Sequence, residues 1–269
     1  MGTQIDLTGK VAVVTGVLGR LGAVWVDALL AAGADVVGID RTVTVPPLLE
    51  ETLSRHPAHR FQLLKADVTE TDTLRAALDS CLATVGTPEI LVNNAGIDQP
   101  PNTSGESWRF GDIPAEVSAS ILDVNALGVL KTCQVFGSEM ARGGAGSVIN
   151  IGSLYGSMAP DPRLYEHLPQ DPPFIKPPAY GMSKAGVAAL TRYLAVLWGG
   201  QGVRVNTLSP GGVLGGQDAA FRGKFSDRVP LRRMAEASDL TGPLLFLASD
   251  LSSYVTGTEL LVDGGYVCW

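Results

Sequence analysis

Two residues four positions apart carry the clearest chemical signal in the sequence. Tyr180 and Lys184 stand in the stretch Tyr-Gly-Met-Ser-Lys, which small and apolar residues typical of a helix follow. On a helix, residues at this spacing lie one turn apart on the same face. A phenol keeps its proton until pH ~10, and a neighbouring ammonium group favours the phenolate and lowers that pKa. The pair therefore predicts a tyrosine that exchanges a proton with a substrate hydroxyl or carbonyl group. Because the spacing also occurs by chance on surface helices, this interpretation needs support from the rest of the chain.

A second chemical signal lies at residues 16–22, where glycines follow an apolar, β-branched run at 10–16. The run is typical of a buried parallel strand, and a helical segment at about 23–32 follows it. Glycines at such a turn let the backbone approach a pyrophosphate, and the helix N-terminus supplies unpaired N–H groups. An ordinary tight turn is the alternative. The pattern predicts a dinucleotide site whose phosphate turn contains Gly16, Gly19, Arg20, Leu21 and Gly22.

The acidic residue that ends the next expected strand indicates which dinucleotide binds. A carboxylate at Asp40 would accept hydrogen bonds from the adenosine ribose hydroxyls and repel a 2′-phosphate. NAD(H) is therefore favoured over NADP(H). Arg41 keeps the second cofactor open, because a guanidinium group can pair with that phosphate or stack on adenine. Asp67 ends a third strand and is expected to bond the adenine amino group.

Strands and helices alternate along the whole sequence. Strands are expected at 10–16, 35–40, 61–68, 90–96, 147–153, 203–212 and 257–265, with helices between them that include 115–135. This alternation predicts one doubly wound parallel sheet, whose ligands bind beyond the carboxyl ends of the strands. The residues expected at those ends are Gly16, Asp40, Asp67, Asn94, Ser153 and Pro210. The Asn94 amide either ties loops together or forms a purely structural turn.

Composition limits the class of protein. The chain has 269 residues, 45% of them hydrophobic, and a net charge of -7. It can bury a large core, and we expect one domain over residues 1–269. The negative charge argues against nucleic acid or an anionic membrane as partner. No apolar run is long enough for a membrane span and no secretory signal is visible, which predicts a cytoplasmic protein. Three widely spaced cysteines, Cys81, Cys133 and Cys268, lack metal-ligand spacing, so no metal is expected.

A proline-rich segment at 158–179 ends directly before Tyr180. Irregular segments of this length inside a domain are more often functional than not, so we expect it to form a wall or lid of the substrate pocket. Its candidate substrate residues are Arg163 and Tyr165. Arg163 and Lys176, together with Arg109, could bind an acid group. All of them could instead face solvent.

In this order, the segments resemble the short-chain dehydrogenase/reductase family over nearly the whole chain. The matching segments are 15–22, Asp67-Val68, 93–96, Asn125, Ser153, Tyr180 with Lys184, Pro210-Gly211 and 262–265. The resemblance implies a single Rossmann-type sheet of about seven strands with helices on both faces. It is closest to the classical branch, with 158–179 as an insertion before the tyrosine.

The resemblance also implies roles for individual residues. Tyr180 would be the general acid/base, and Lys184 would lower its pKa and bond the nicotinamide ribose. Ser153 would bond the substrate oxygen, and Asn125 would support a water that links Lys184 to solvent. The nicotinamide carboxamide would lie against Pro210, Gly211 and Val213, and the remaining cofactor contacts would come from Asp67, Val68 and Asn94.

Three departures from the family pattern affect these expectations. Classical family members carry glycine at the position of Arg20; here the spacing of Gly16, Gly19 and Gly22 is more like that of the extended branch, so Arg20 is expected to touch the pyrophosphate. The insertion lengthens the separation between Ser153 and Tyr180. Gly215 stands where a threonine often bonds the carboxamide.

The resemblance implies hydride transfer between a nicotinamide and a secondary alcohol or ketone, with NAD(H) as cofactor. The polar insertion favours a sugar, sugar acid or polyol, and it resembles insertions of family members from bacterial surface-sugar and nonulosonic-acid biosynthesis. A reductase of 3-oxoacyl or other apolar ketones is the alternative enzyme. A dinucleotide-binding sensor without turnover is the alternative of another class. The family also implies a homotetramer or homodimer.

Overall fold

Seven parallel strands form one sheet in the computed structural model, which describes residues 5–99 and 107–269. The strands are β1 (Val11–Thr15), β2 (Asp35–Asp40), β3 (Phe61–Lys65), β4 (Pro88–Asn93), β5 (Gly146–Ile151), β6 (Val203–Pro210) and β7 (Glu259–Val262). Their order across the sheet is β3-β2-β1-β4-β5-β6-β7. Strand order therefore reverses between β1 and β4, where a crevice opens at the carboxyl ends. The prediction of a doubly wound parallel sheet is confirmed.

Helices cover both faces of the sheet. They are α1 (Gly22–Ala31), α2 (Pro47–Ser54), α3 (Thr71–Thr84), α4 (Ala115–Leu122), α5 (Gly128–Thr132), α6 (Ser138–Gly143), α7 (Pro178–Trp198), α8 (Ala219–Arg228) and α9 (Thr241–Ala248). Two π-helical turns, Asp123–Leu127 and Cys133–Gly137, join α4, α5 and α6 into one long helix.

This long helix continues past its expected end at 135 to Gly143, and it contains a close contact at Gly137. A Cβ atom there would lie 2.5 Å from the Trp198 ring at the end of α7. Glycine normally weakens a helix. Here it lets two helices approach closely, and the sequence pattern alone gives no sign of that.

The two faces of the sheet bury separate apolar layers. In β1, Val11 and Val13 point into the layer that contains α3, the long helix and α7. Ala12 and Val14 point into the layer that contains α1 and α9. Successive side chains of a strand alternate between faces, so a strand buried on both sides is apolar throughout. Among the described residues, no helix is long and apolar enough to cross a bilayer.

A third, smaller apolar cluster lies beside the sheet. It joins the 158–179 insertion to α8 and to the C-terminal residues, and its rings are Tyr165, Phe174, Phe221, Phe225 and Tyr266. The insertion is thus anchored by its own buried side chains, although most of it is irregular.

Candidate active site

A cavity of about 710 Å³ opens at the carboxyl ends of the strands, at the reversal of strand order. Most of the site residues expected from the sequence line it: Gly16, Gly19, Arg20, Leu21, Asp40, Asp67, Val68, Asn94, Asn125, Ser153, Tyr165, Tyr180, Lys184, Pro210, Gly211 and Val213. Two expected residues, Gly22 and Arg163, are not among its lining residues. The sheet therefore brings residues from most of its length to one edge.

Tyr180 and Lys184 lie in the first turns of α7, which starts at two prolines that suit a helix beginning. The buried Lys184 ammonium group donates a hydrogen bond of 2.8 Å to the carbonyl of Ile151, the last residue of β5. Its Nζ lies 5.9 Å from the centre of the Tyr180 ring. Ser153 follows the same strand, and its hydroxyl is near enough to the Tyr180 phenol to act against the rise in the pKa of that phenol. The three side chains thus meet at the end of β5.

The titration of this pair differs from the expectation. Desolvation in the cavity, with a smaller contribution from the charge of Asp98, raises the pKa of Tyr180 above its ordinary value. Burial lowers the pKa of Lys184 to about 8. The pKa of the phenol is therefore raised, not lowered as predicted, because desolvation of the phenolate outweighs any stabilisation by the Lys184 charge. Two groups this close titrate as a pair, so the proton lost near pH 8 belongs to both. The form with phenolate and ammonium holds the same number of protons as the form with phenol and amine.

Asn125 lies in the π-helical turn of the long helix and is buried, not solvent-facing. Its amide oxygen accepts the N–H of Ile97 at 2.7 Å, and its amide nitrogen donates to the Ile97 carbonyl at 2.9 Å. Both hydrogen bonds hold the loop that leaves β4 in place. A π-helical turn inside an α-helix is often associated with a functional site.

The glycine turn is tied to β4 by Asn94. The Asn94 amide nitrogen donates to the carbonyls of Thr15 and Gly16 at 3.0 and 2.9 Å. Gly16 has φ +61°, and a Cβ atom there would lie 2.6 Å from the Ala95 Cα. Only glycine fits such a close approach with positive φ. Of the two readings of Asn94, the tie between loops is the one that the structure contains.

Gly22 packs against the backbone of the glycine turn and does not line the cavity. A Cβ atom on Gly22 would lie 2.0 Å from the Val17 carbonyl oxygen, so it has a packing role that does not require contact with the cavity. The preceding residue, Leu21, gives α1 no side-chain cap. The Gly22 N–H is bonded to the Gly19 carbonyl at 3.0 Å, whereas the next N–H groups of the first turn can receive an anion.

Two of the departures from the family pattern, Arg20 and Gly215, lie next to each other in the structure. The Arg20 guanidinium group donates a hydrogen bond of 3.0 Å to the Val213 carbonyl. A Cβ atom on Gly215 would lie 2.3 Å from that guanidinium group, so the arginine occupies the space beside a residue that has no side chain. Arg20 thereby links the glycine turn to the loop after β6 along one side of the cavity.

Asp40 and Asp67 line the cavity at the ends of β2 and β3. The two Asp40 carboxylate oxygens accept the backbone N–H groups of Leu18 and Arg41 at 3.0 and 2.8 Å. Asp67 accepts the backbone N–H and the hydroxyl of Thr69 at 2.9 and 2.8 Å. Each carboxylate is therefore fixed in place by neighbouring backbone.

The insertion forms one wall of the cavity. Tyr165 is buried in the aromatic cluster and lines the cavity. Arg163 pairs with Asp161, and 75% of its side chain is exposed. Its expected position in the substrate site is wrong, because the adjacent carboxylate draws it to the outer surface. Arg109 is also exposed and does not line the cavity.

Sequence reasoning missed Tyr155 and Asp98, both of which line the cavity. Each stands only a few residues beyond a strand end, after β5 and β4. The rule that ligands bind at carboxyl ends of strands could have found them. Lys176, considered before only as a cation for an acid group, also lines the cavity and forms an ion pair with Asp98 at 2.6 Å.

Comparison with family models and with known proteins finds similar sequences over nearly the whole chain. The family model "short chain dehydrogenase" matches residues 10–165, and the model "Enoyl-(Acyl carrier protein) reductase" matches residues 170–267. Galactitol 2-dehydrogenase (L-tagatose-forming) of Cereibacter sphaeroides is 34% identical and covers 99% of this chain and 98% of its own.

Solved structures of dehydrogenases have a similar fold. A gluconate 5-dehydrogenase from Burkholderia cenocepacia in complex with NADP and tartrate superposes with a TM-score of 0.82 at 30% identity, covering 99% of this chain and 98% of that one. A short chain dehydrogenase from Leptospira borgpetersenii with bound NAD+ gives a TM-score of 0.83 at 31% identity, covering 97% and 94%.

Proposed function

The chain belongs to the short-chain dehydrogenase family, and we propose that it transfers a hydride between NAD(H) and a secondary alcohol or ketone of a polyol or sugar-type substrate. The observation that carries the proposal is the meeting of Tyr180, Lys184 and Ser153 in the cavity at the strand ends. The related galactitol 2-dehydrogenase and gluconate 5-dehydrogenase, by their names, act on a polyol and a sugar acid. Both support a polyhydroxylated substrate.

The residues beside the glycine turn fit a nicotinamide dinucleotide. The positive φ of Gly16, the close packing of Gly22 and the uncapped start of α1 leave backbone N–H groups for a pyrophosphate. Pro210, Gly211 and Val213 at the exit of β6 would hold the nicotinamide end, and Asp67, Val68 and Asn94 the adenosine side. A bound dinucleotide would accept or supply the hydride; the chain would supply orientation and proton transfer.

Each residue of the site has its own role in the proton transfer. In the oxidation direction, the Ser153 hydroxyl bonds the reacting oxygen, and the Tyr180 phenolate takes its proton. Lys184 stabilises the phenolate by its charge and is itself held by the Ile151 carbonyl. Asn125 fixes the β4 loop beside them. In the reduction direction, Tyr180 returns the proton to the carbonyl oxygen.

Asp40 is our reason to propose NAD(H) in preference to NADP(H). Its carboxylate lines the cavity at the end of β2, where an adenosine 2′-phosphate would meet a negative charge. Arg41 follows it and is exposed. The family relatives include proteins with either cofactor.

A homo-oligomer is the quaternary state that we propose. One exposed face of α7 carries Met182, Tyr193, Val196 and Leu197, which are 50% to 87% exposed. Exposed apolar side chains of this kind on one helix fit a second copy of the chain. Light scattering on the purified protein tests it: we expect an oligomer that Val196→Glu dissociates, and a monomeric wild type would contradict it.

The activity itself is tested by mixing the protein with NAD+ and a panel of polyols and following the absorbance of the reduced cofactor. We expect turnover of at least one polyol. Silence across the panel together with tight NAD+ binding would favour a dinucleotide-binding sensor instead. Activity confined to 3-oxoacyl substrates would favour the apolar reductase.

A further inference from the structure

An ion pair that the proposed proton transfer does not use lies beside Tyr180. The Lys176 ammonium group contacts both carboxylate oxygens of Asp98, at 2.6 and 2.7 Å. It lies 4.6 Å from the centre of the Tyr180 ring and 5.6 Å from that of Tyr155. Only 6% of the Lys176 side chain is exposed, against 41% for Asp98. Both residues line the cavity.

The two partners are held by different parts of the fold. Asp98 directly follows Ile97, whose backbone N–H and carbonyl are both bonded by the buried Asn125 side chain. Lys176 stands at the end of the insertion, between the buried Phe174 and the first turn of α7. The pair therefore has a fixed position relative to the tyrosine on which the proton transfer depends.

Counted over the part of the chain that the structure describes, the pair retains hydrogen-bonding capacity. An ammonium group has three donors, and a carboxylate has about four lone-pair sites. Asp98 Oδ1 also accepts the Gln99 backbone N–H at 2.8 Å, which leaves more capacity on Oδ2. A hydroxyl group can both donate to a carboxylate and accept from an ammonium group, so one hydroxyl group can form hydrogen bonds with Asp98 and Lys176 at once.

Charge decides which substrates the pair accepts. Asp98 and Lys176 cancel each other, so the pair offers no net attraction to an anion. A substrate carboxylate at Lys176 would also lie close to the Asp98 carboxylate and be repelled. Neutral hydroxyl groups meet no such penalty.

We infer that Asp98 and Lys176 together bind a substrate hydroxyl group next to the reacting one, and that the pair selects neutral polyols over the matching aldonates. The inference rests on the proposed function and narrows it from sugars, sugar acids and polyols to polyols. It gives Lys176 a role different from binding an acid group. A pair that only fastened the insertion to the β4 loop would have no effect on this selection.

The test compares each polyol with the aldonate of the same configuration, for example galactitol with galactonate and arabinitol with arabinonate. Steady-state kcat/KM is measured with NAD+ for the wild type, Asp98→Asn and Lys176→Met. We expect the wild type to favour the polyols by at least ~10-fold. Asp98→Asn should move the ratio toward the aldonates by at least ~10-fold, because it leaves the Lys176 charge without its partner. Lys176→Met should lower kcat/KM for polyols by ~10-fold or more while NAD+ affinity stays unchanged.

Matched controls remove the same charges outside the cavity. Lys224 is a half-buried lysine of α8 that donates to the Arg163 carbonyl, and Glu166 is an exposed acid of the insertion. Lys224→Met and Glu166→Gln should leave the polyol-to-aldonate ratio within twofold of the wild type. Thermal melting and NAD+ binding of every variant show whether its fold and cofactor site remain intact.

The outcomes separate the inference from the function beneath it. A wild type that prefers aldonates, or an intact Asp98→Asn variant with an unchanged ratio, would overturn the role of the pair and leave the proposed function standing. A wild type that oxidises neither class would overturn both.

Discussion

The two sides of the cavity are built in different ways. On the cofactor side, short hydrogen bonds join the backbone of the glycine turn to the ends of neighbouring strands, as Asn94 does for Thr15 and Gly16. On the substrate side, side chains from distant segments pack on one another. Between ring centres, Tyr165 lies 5.7 Å from Phe221 and Phe221 lies 5.8 Å from Phe225. The Phe225 ring centre lies 4.6 Å from that of Tyr266.

Polar side-chain contacts reinforce the aromatic contacts on the substrate side. His167 contacts Asp218, the N-terminal cap of α8, at 3.0 Å, and Arg228 at the other end of α8 contacts Asp161. The insertion and α8 thus form one wall. The difference teaches that the cofactor side depends on backbone geometry encoded in local motifs, whereas the substrate side depends on side-chain packing between segments far apart in sequence. Changes on either side should therefore affect different measurements.

The largest effect is expected where the two sides meet. Tyr180→Phe removes the group that moves the proton and should reduce kcat for polyol oxidation by at least ~100-fold, the usual range for a positioned acid/base. NAD+ affinity should change little, because the ring remains. Steady-state kinetics and fluorescence titration with NAD+ measure both quantities. Near-normal kcat would remove Tyr180 from its proposed role.

The Tyr180–Lys184 pair should also set the pH dependence. Burial lowers the pKa of Lys184 to about 8, so the pair loses one proton as the pH rises through that value. The base form accumulates above it, and kcat for polyol oxidation should rise with pH below about 8 and level off above.

Lys184→Met tests this assignment because it leaves the phenol to titrate alone. Desolvation already raises the pKa of Tyr180, so the inflection should move above pH ~10, the ordinary value for a phenol. A profile of log kcat against pH that keeps its inflection near the wild-type value in this variant would contradict the assignment.

A change confined to the substrate side should affect stability and KM for the substrate. Phe225 is 2% exposed and stacks on two rings, so Phe225→Ala should lower the free energy of unfolding by about 3 kcal/mol, the lower end for such a truncation. Denaturant unfolding measures this. Phe110, which is 77% exposed, provides the control, and Phe110→Ala should change the unfolding energy little. Equal effects of the two substitutions would show that the aromatic wall is not packed as described.

A change confined to the cofactor side should affect only cofactor selection. Asp40→Ala removes both the ribose acceptor and the charge that repels a 2′-phosphate, so the ratio of NAD to NADP affinity should fall by ~10-fold or more. Asp72, which is 95% exposed on α3, is a suitable control position. An unchanged ratio in Asp40→Ala would remove Asp40 as the determinant.

The smallest effect is expected at the link between the glycine turn and the loop after β6. Arg20→Ala should weaken NAD+ binding by ~10-fold, since a hydrogen bond to a charged group contributes ~1.5–3 kcal/mol. Substrate KM should hardly change. Arg222, exposed on α8, is the matched arginine. If Arg20→Ala raised substrate KM and left NAD+ affinity intact, the separation of the two sides would fail at this point.

The sequence predicts the cofactor side of the cavity better than the substrate side. The parallel sheet, the glycine turn and the convergence of Asp40, Ser153, Tyr180 and Lys184 follow from strand-end rules and local spacing, because each depends on neighbours within a few residues. The family resemblance added the roles of Asn125 and Ser153. Apolar runs located each strand to within a few residues.

The substrate side was less accessible from sequence because its contacts are long-range. Asp161, two residues away, draws Arg163 outward, and this contact is local. Lys176 is held in the cavity by Asp98, 78 residues away, and that contact is not visible in the sequence. The titration of Tyr180 was misjudged for a related reason, since desolvation depends on the whole cavity and not on the residue one turn away. Likewise, the pairing of Arg20 with Gly215 becomes visible only when the two loops are placed together.

The most direct test of the central proposal follows the hydride itself. A polyol that carries deuterium on its secondary carbinol carbon is incubated with NAD+ and the protein, and the reduced cofactor is analysed by mass spectrometry and proton NMR. We predict one deuterium at C4 of the nicotinamide ring and a ketose as the other product, with neither formed by Tyr180→Phe in the same time. Reduced cofactor without deuterium, or no reduction by any polyol while NAD+ binds tightly, would contradict the proposal.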